Sequence, residues 1–159
     1  MKLLPSAIAL GAGLLLAGTA FSASLTEADI ERMLNQIDQA AQNHDAEGVG
    51  RHLAPQVKIT IDMSAVAPQM PTQRLGKAEY LAQLREGWTQ VQHYSYQRGN
   101  TKITIAPGGQ SASASATVRE SLKMQGQMLT SVSDETTRVE LIKGQPLATE
   151  VRATVRSMR

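Results

Sequence analysis

From Leu25 to Ala41 apolar side chains return every three or four residues: Ile30, Met33, Leu34, Ile37, Ala40 and Ala41. That spacing draws one stripe along a helix. Thr26 suits the N-cap, Asp29 stands three residues on, and Leu25 and Ile30 occupy the two staple positions around it. The polar run Gln42-Asn43-His44 ends the stripe. Asp45 can cap a second, shorter helix with Val49 and Leu53 on one face, which Pro55 is expected to stop. Gly48 and Gly50 weaken that helix by about 1 kcal/mol each relative to alanine. The period then changes to two. Val57, Ile59, Ile61 and Met63 alternate with Lys58, Thr60 and Asp62, the pattern of a half-buried strand ending at Asp62. Ser64 to Gln73, with Pro68 and Pro71, reads as a loop, and Arg74-Leu75 as a short extended piece. From Lys77 to Val91 the helical period returns, with Leu81, Leu84, Trp88 and Val91 on one face and Tyr80 beside Leu84.

Everything after His93 alternates as strand. Tyr94 and Tyr96 share one parity and Ile103 and Ile105 the other, so a β-bulge is expected near Gly99-Asn100. Pro107-Gly108-Gly109 makes a turn. The segment SASASATVRESLKM looks like low complexity, yet it places Ala112, Ala114, Ala116, Val118, Leu122 and Met124 on one face and Ser, Thr, Arg and Lys on the other. The inward alanines either let a helix approach closely or leave room for a ligand. Gly126 marks a hairpin, Met128 to Ile142 has mixed parity that calls for a second bulge, and Lys143-Gly144 turns once more. Leu147, Val151, Ala153 and Val155 then share the last inward face. Helices followed by a run of strands indicate α+β and exclude a parallel doubly wound sheet.

The N-terminus changes the picture of what is folded. Met1-Lys2 carries one positive charge, Leu3 to Ala17 is an apolar stretch, and Gly18-Thr-Ala-Phe-Ser-Ala follows. This is the order of a secretory signal, cleaved after Ser22 or Ala20. The apolar part is shorter than the roughly 20 residues of a spanning helix. Residues 1–22 are therefore expected to be removed, giving an exported, periplasmic or secreted protein of one domain, residues 23–159. There is no cysteine, so neither a lipid-anchored form nor a disulfide is available. Without Lys2, 15 basic and 14 acidic residues remain, the excess of bases lying beyond residue 97. Only Tyr80, Trp88, Tyr94 and Tyr96 remain as aromatics, too few to interleave with basic residues as a nucleic-acid surface requires.

The first helix ending in HDAEGVGRHLAP, then QVKITIDM, then the Gly-initiated helix GKAEYLAQLREGW and the terminal sheet resemble the nuclear transport factor 2-like superfamily. This group, which includes the SnoaL-like proteins, has a cystatin-like cone fold. The resemblance spans Leu25 to about Ser157. It implies a cone-shaped α+β barrel: three N-terminal helices packed on a curved, mostly antiparallel sheet that closes around the Lys77–Val91 helix and leaves a cavity at its wide end. Members use that cavity for apolar or amphipathic small molecules, or dimerise through the sheet.

By this resemblance Asp62 falls where ketosteroid isomerases hold a general-base aspartate. A carboxylate there can take a proton if burial raises its pKa, although a solvated strand end explains it equally well. The isomerases' tyrosine on the first helix has no counterpart; Ile37 stands near its place. Their second oxyanion donor would fall near Asp134 or Glu135, and Asp134 is taken as a ligand contact. Glu120 follows from parity alone. It lies on the apolar face of Val118 and Leu122, where a charge is costly unless water or a cation such as Arg98 or Arg138 meets it. His93 is a candidate acid or base, and Tyr80, Trp88 and Tyr94 a candidate ligand wall; each is also ordinary core or strand material. The Pro68–Pro71 loop is expected near the cavity mouth.

His44 and His52 stand eight apart with no His-x-x-x-His, so no metal site is expected, and no motif calls for a cofactor. The expected activity is binding of a small apolar or amphipathic molecule. Two alternatives stand: a SnoaL-like isomerase, dehydratase or hydrolase using Asp62 or Glu120 with His93, and an envelope interaction module forming a homodimer through its sheet.

Overall fold

A computed structural model describes residues 23–159; the expected signal segment lies outside the described residues. Helix α1, Glu27–Gln42, starts as its sequence suggests. The Thr26 hydroxyl accepts the Asp29 N–H at 3.2 Å, and the Asp29 carboxylate accepts the Thr26 N–H at 3.1 Å. Leu25 and Ile30 are both buried beneath the first turn. A short α2, Ala46–Gly50, follows, capped by the Asp45 carboxylate on the Gly48 N–H at 2.8 Å. Its glycines have a packing reason. A Cβ on Gly48 would stand 2.8 Å from the Ala40 methyl and 2.4 Å from Oδ2 of the capping carboxylate, and one on Gly50 would stand 2.8 Å from Leu81 Cδ1.

Strand β1, Leu53–Asp62, begins before Pro55 instead of after a helix that Pro55 stops. The ladder between β1 and the final strand is irregular between Leu53 and Lys58, so the proline occupies a stretch where its missing N–H breaks no regular pairing. Strand β2, Gln73–Leu75, precedes α3, Lys77–Thr89. The long strands β3 (His93–Ile105), β4 (Ser111–Met124), β5 (Gln127–Ile142) and β6 (Gln145–Met158) complete the chain. The sheet order is β2-β1-β6-β5-β4-β3, antiparallel throughout except for the parallel β1–β6 pair. Gln125-Gly126 and Lys143-Gly144 join the last hairpins with positive φ at both residues, the type I′ geometry that matches strand twist.

The bulge expected near Gly99-Asn100 is present between Gly99 and Lys102, with Asn100 at φ +54°. The one assigned to residues 128–142 is not in that strand. Strand β5 keeps its register against β4 throughout, and the extra residues sit in β6, opposite Val132/Ser133 and Arg138/Val139. The shift turns Ala148 inward, fully buried, in place of the expected Leu147.

Two apolar clusters hold the layers together. Ile30, Met33 and Leu34 of α1 lie on Ala112, Ala114 and Val139, so these two alanines serve close helix approach. Leu81 and Trp88 of α3 pack with Val49, Leu53, Val57, Ile59 and Ala148. The helix lying along β3 to β5 is thus α1, while α3 covers β1; this corrects the expectation of a sheet closed around α3. Among the described residues no helix is long and apolar enough to cross a membrane.

Candidate functional site

Between the two clusters the sheet and helices leave a cavity of about 290 Å³. Its wall has two chemistries. Ile37 and Ala41 of α1, Ile59 and Ile61 of β1, Leu84 and Trp88 of α3, and Val151, Ala153 and Val155 of β6 form an apolar half. The other half is polar and comes from successive inward positions: Tyr94, Tyr96 and Arg98 on β3, Glu120 on β4, and Ser131, Ser133, Glu135 and Thr137 on β5. Tyr80 enters from α3. Gln83 is the one exposed residue in the lining.

The polar half is organised around Arg98, whose side chain is only 9% exposed. Its Nε donates to both Asp38 oxygens at 3.1 and 3.2 Å, and its Nη2 donates to Asp38 Oδ1 at 3.0 Å and to the Tyr96 hydroxyl at 2.8 Å. Burial opposes its charge, but Tyr96, Glu135 and Asp38 outweigh burial and hold its pKa above the ordinary arginine value. Glu135 is served less well. Oε2 receives Arg98 Nη1 and the Tyr96 hydroxyl, each at 3.4 Å, and Oε1 has no protein donor among the described residues. Burial therefore pushes the Glu135 pKa up, Arg98 pulls against it, and the Glu120 and Asp38 charges add to the rise. Glu120 accepts the Tyr94 hydroxyl at 2.5 Å on Oε1, and among the described residues its second oxygen has no protein donor. Burial, together with Glu135 and Glu120, raises the Tyr80 pKa; burial and Glu120 do the same for Tyr94. Both phenols stay protonated and act as neutral hydrogen-bonding groups.

Of the residues singled out from sequence, Tyr80, Trp88, Tyr94 and Glu120 stand on this wall, and three do not. Asp62 shares the outward parity of Lys58 and Thr60, and its Oδ1 accepts the Ser64 N–H at 2.9 Å, which holds its pKa below the usual carboxylate value. His93 is exposed beside Lys123 on the face opposite Tyr94. Asp134 points outward to Arg156 at 2.9 Å, while its neighbour Glu135 points in. Glu120 meets Tyr94 rather than Arg98 or Arg138; Arg138 faces outward to Glu140 at 3.5 Å. No residue of the Pro68–Pro71 loop lines the cavity.

Two groups escaped the sequence reading. Asp38 sits four residues after Leu34 and three before Ala41, a charge at stripe spacing, and that signal was available. His44, at φ +55° after α1, stacks on Trp88 with centroids 5.3 Å apart and meets Tyr94 edge-on at 5.4 Å; no local pattern marks it. Among the described residues no three His, Cys, Asp or Glu side chains are grouped to hold a metal ion.

No protein-family model and no curated protein matches the chain in sequence. Solved structures do match in shape. A nuclear transport factor 2-like protein with a cystatin-like fold from Novosphingobium aromaticivorans superposes with TM-score 0.63 at 15% identity, covering 80% of each chain. The chain has the nuclear transport factor 2-like cone fold. A candidate scytalone dehydratase from the same organism shares that cone at TM-score 0.70 and 13% identity, with 83% of this chain and 85% of that one covered. A type 2 hexachlorocyclohexane dehydrochlorinase shares it at TM-score 0.69 and 10% identity, with 83% and 86% covered. Identities this low establish the cone and leave its use to be argued from the cavity.

Proposed function

We propose that this protein binds a small amphipathic molecule in the cavity of its cone. The observation that carries this reading is the division of one enclosed wall into an apolar half and a half bearing hydrogen-bonding groups with unused capacity. Among the described residues, Glu135 Oε1 and the Tyr80 hydroxyl, on two side chains that line the cavity, have no protein hydrogen-bond partner, so both are available to a bound molecule. Pockets of about 300 Å³ and upward, mostly apolar with a few convergent polar groups, are the usual form of small-molecule sites. The outward positions Ser113, Ser115 and Arg119 on β4 and Arg152, Thr154 and Arg156 on β6 are polar, which supports the cavity over the sheet's outer face as the functional surface.

The test is uptake of a neutral apolar fluorophore, N-phenyl-1-naphthylamine, by the protein and by Ala153→Trp, which fills the cavity from β6. Saturable one-to-one binding that the variant loses, with its circular dichroism unchanged, is the expected result. Equal uptake by both proteins, or none by either, would overturn the reading.

An enzymatic reading keeps one specific support: Glu120, with a tyrosine hydrogen-bonded to it, and Glu135 face the same enclosed space as the two chemically distinct carboxyl groups an acid–base reaction uses. It would run without His93 and Asp62. We also propose, from the N-terminal sequence, that residues 1–22 direct export and are removed. The intact mass of the exported protein should begin at Ala23 or Phe21; a cell-retained chain that keeps Met1 would contradict this.

A further inference from the structure

The charges around the cavity do not balance. Among the described residues Arg98 is the only basic one in its lining, which also holds Glu120 and Glu135, and Asp38 behind it takes three of the Arg98 hydrogen bonds. Arg98 is thereby spent on Asp38; only its 3.4 Å contact is left for Glu135. Tyr96 receives an Arg98 N–H, so its own proton is directed to Glu135, again at 3.4 Å. Tyr94 spends its proton on Glu120. Besides the neutral Ser131, Ser133, Thr137 and Gln83 side chains, what remains open to an occupant is one oxygen of Glu120, Oε1 of Glu135 and the Tyr80 hydroxyl. Two of these are pure acceptors while ionised, and the third can accept.

From this inventory we propose that the occupant is an amphipathic amine, its ammonium group donating into the Glu135–Tyr80–Glu120 side of the cavity and its apolar body lying against Ile59, Leu84, Trp88 and Val151. The inference rests on the cavity being a binding site. A carboxylate or phosphate would meet two like charges with no uncommitted cation to receive it. A neutral alcohol could satisfy one acceptor but would leave the excess negative charge unpaired. The dependence on two carboxylates makes selection by charge sharper than selection by shape.

Three probes of one shape decide it: 4-phenylbutylamine, 4-phenylbutan-1-ol and 4-phenylbutanoate, titrated against the full protein with Trp88, the one tryptophan of the chain, as fluorescent reporter. The amine should bind at least tenfold tighter than the alcohol, and the acid should bind weakest. Glu135→Gln should cut the amine's advantage over the alcohol at least tenfold while leaving alcohol binding within about twofold; Glu120→Gln should do so by a smaller factor and serves where Glu135→Gln does not fold. Alcohol binding as tight as amine binding, or tighter binding of the acid, overturns the amine while the cavity reading survives. If none of the three perturbs Trp88, both fall.

Discussion

Arg98→Met is the sharpest test of the polar wall. Methionine fills most of the volume of the stem but leaves Asp38 and Glu135, only 15% and 16% exposed, without their shared cation. Removing one partner of a buried ion group costs about 3–5 kcal/mol, and the residual exposure of Glu135 in the cavity lining places the expected loss near the lower figure, about 3 kcal/mol at pH 7. The pH dependence gives a second handle. A carboxyl whose folded pKa is raised stabilises the fold fully below its unfolded pKa and loses that contribution as pH rises through the folded value. Glu135 already behaves this way, from its ordinary 4.5 upward, and loss of Arg98 removes the charge that opposes the rise. The deficit of the variant should therefore shrink as pH falls from 7 toward 4. Urea unfolding followed by Trp88 fluorescence measures both quantities. Adding Asp38→Asn and Glu135→Gln to Arg98→Met should recover at least half of the loss at pH 7. A deficit below about 1 kcal/mol, or one that does not change with pH, would refute the reasoning.

Other expectations follow from local geometry. Thr26→Ala removes half of a reciprocal cap and should cost about 1 kcal/mol in the same unfolding assay. Gly48→Ala gains about 1 kcal/mol of helix propensity, yet the new methyl overlaps the Asp45 carboxylate and Ala40; lost capping and overpacking should make it net destabilising by about 1–3 kcal/mol. Asp62→Asn and His93→Gln lie outside the cavity and should leave fluorophore affinity within about twofold, whereas a loss of tenfold would return them to the site.

The order and type of elements were legible because period changes along this chain are clean: the stripe of α1, the alternation of β1 and the small-residue face of β4 each point one way. What misled was local analogy set above parity. Asp62 alternates with Ile59 and Ile61, and His93 with Tyr94, so their own patterns already turn them outward; the family position argued otherwise for Asp62, and residue type alone put His93 forward. For Glu120 parity was followed, and the residue is found inward. Asp134 and Glu135 could not be separated while β5 was thought to contain a bulge; with its register unbroken, the odd-numbered residues face in and Glu135 is selected. The exchange of Leu147 for Ala148 has the same cause, a shift lodged in β6 that no single residue signals. The Asp38–Arg98–Glu135 group joins residues up to about 100 positions apart, and such pairings leave no mark in local spacing.

The parallel pairing of β1 with β6 carries a consequence for how the molecule comes into being. Ile59 finds its neighbour Val151 only after more than half the chain has been made. Contacts of that span are slow to close because the intervening loop must be ordered first. A chain released at Gly144 would own every described helix and about nine-tenths of the described sequence, yet β1 would have no central partner and the cavity no floor. Pairing of β6, Gln145–Met158, is accordingly expected to be a late step, and truncation before it should leave a species recognised by proteases as unfinished rather than a smaller version of the same receptacle.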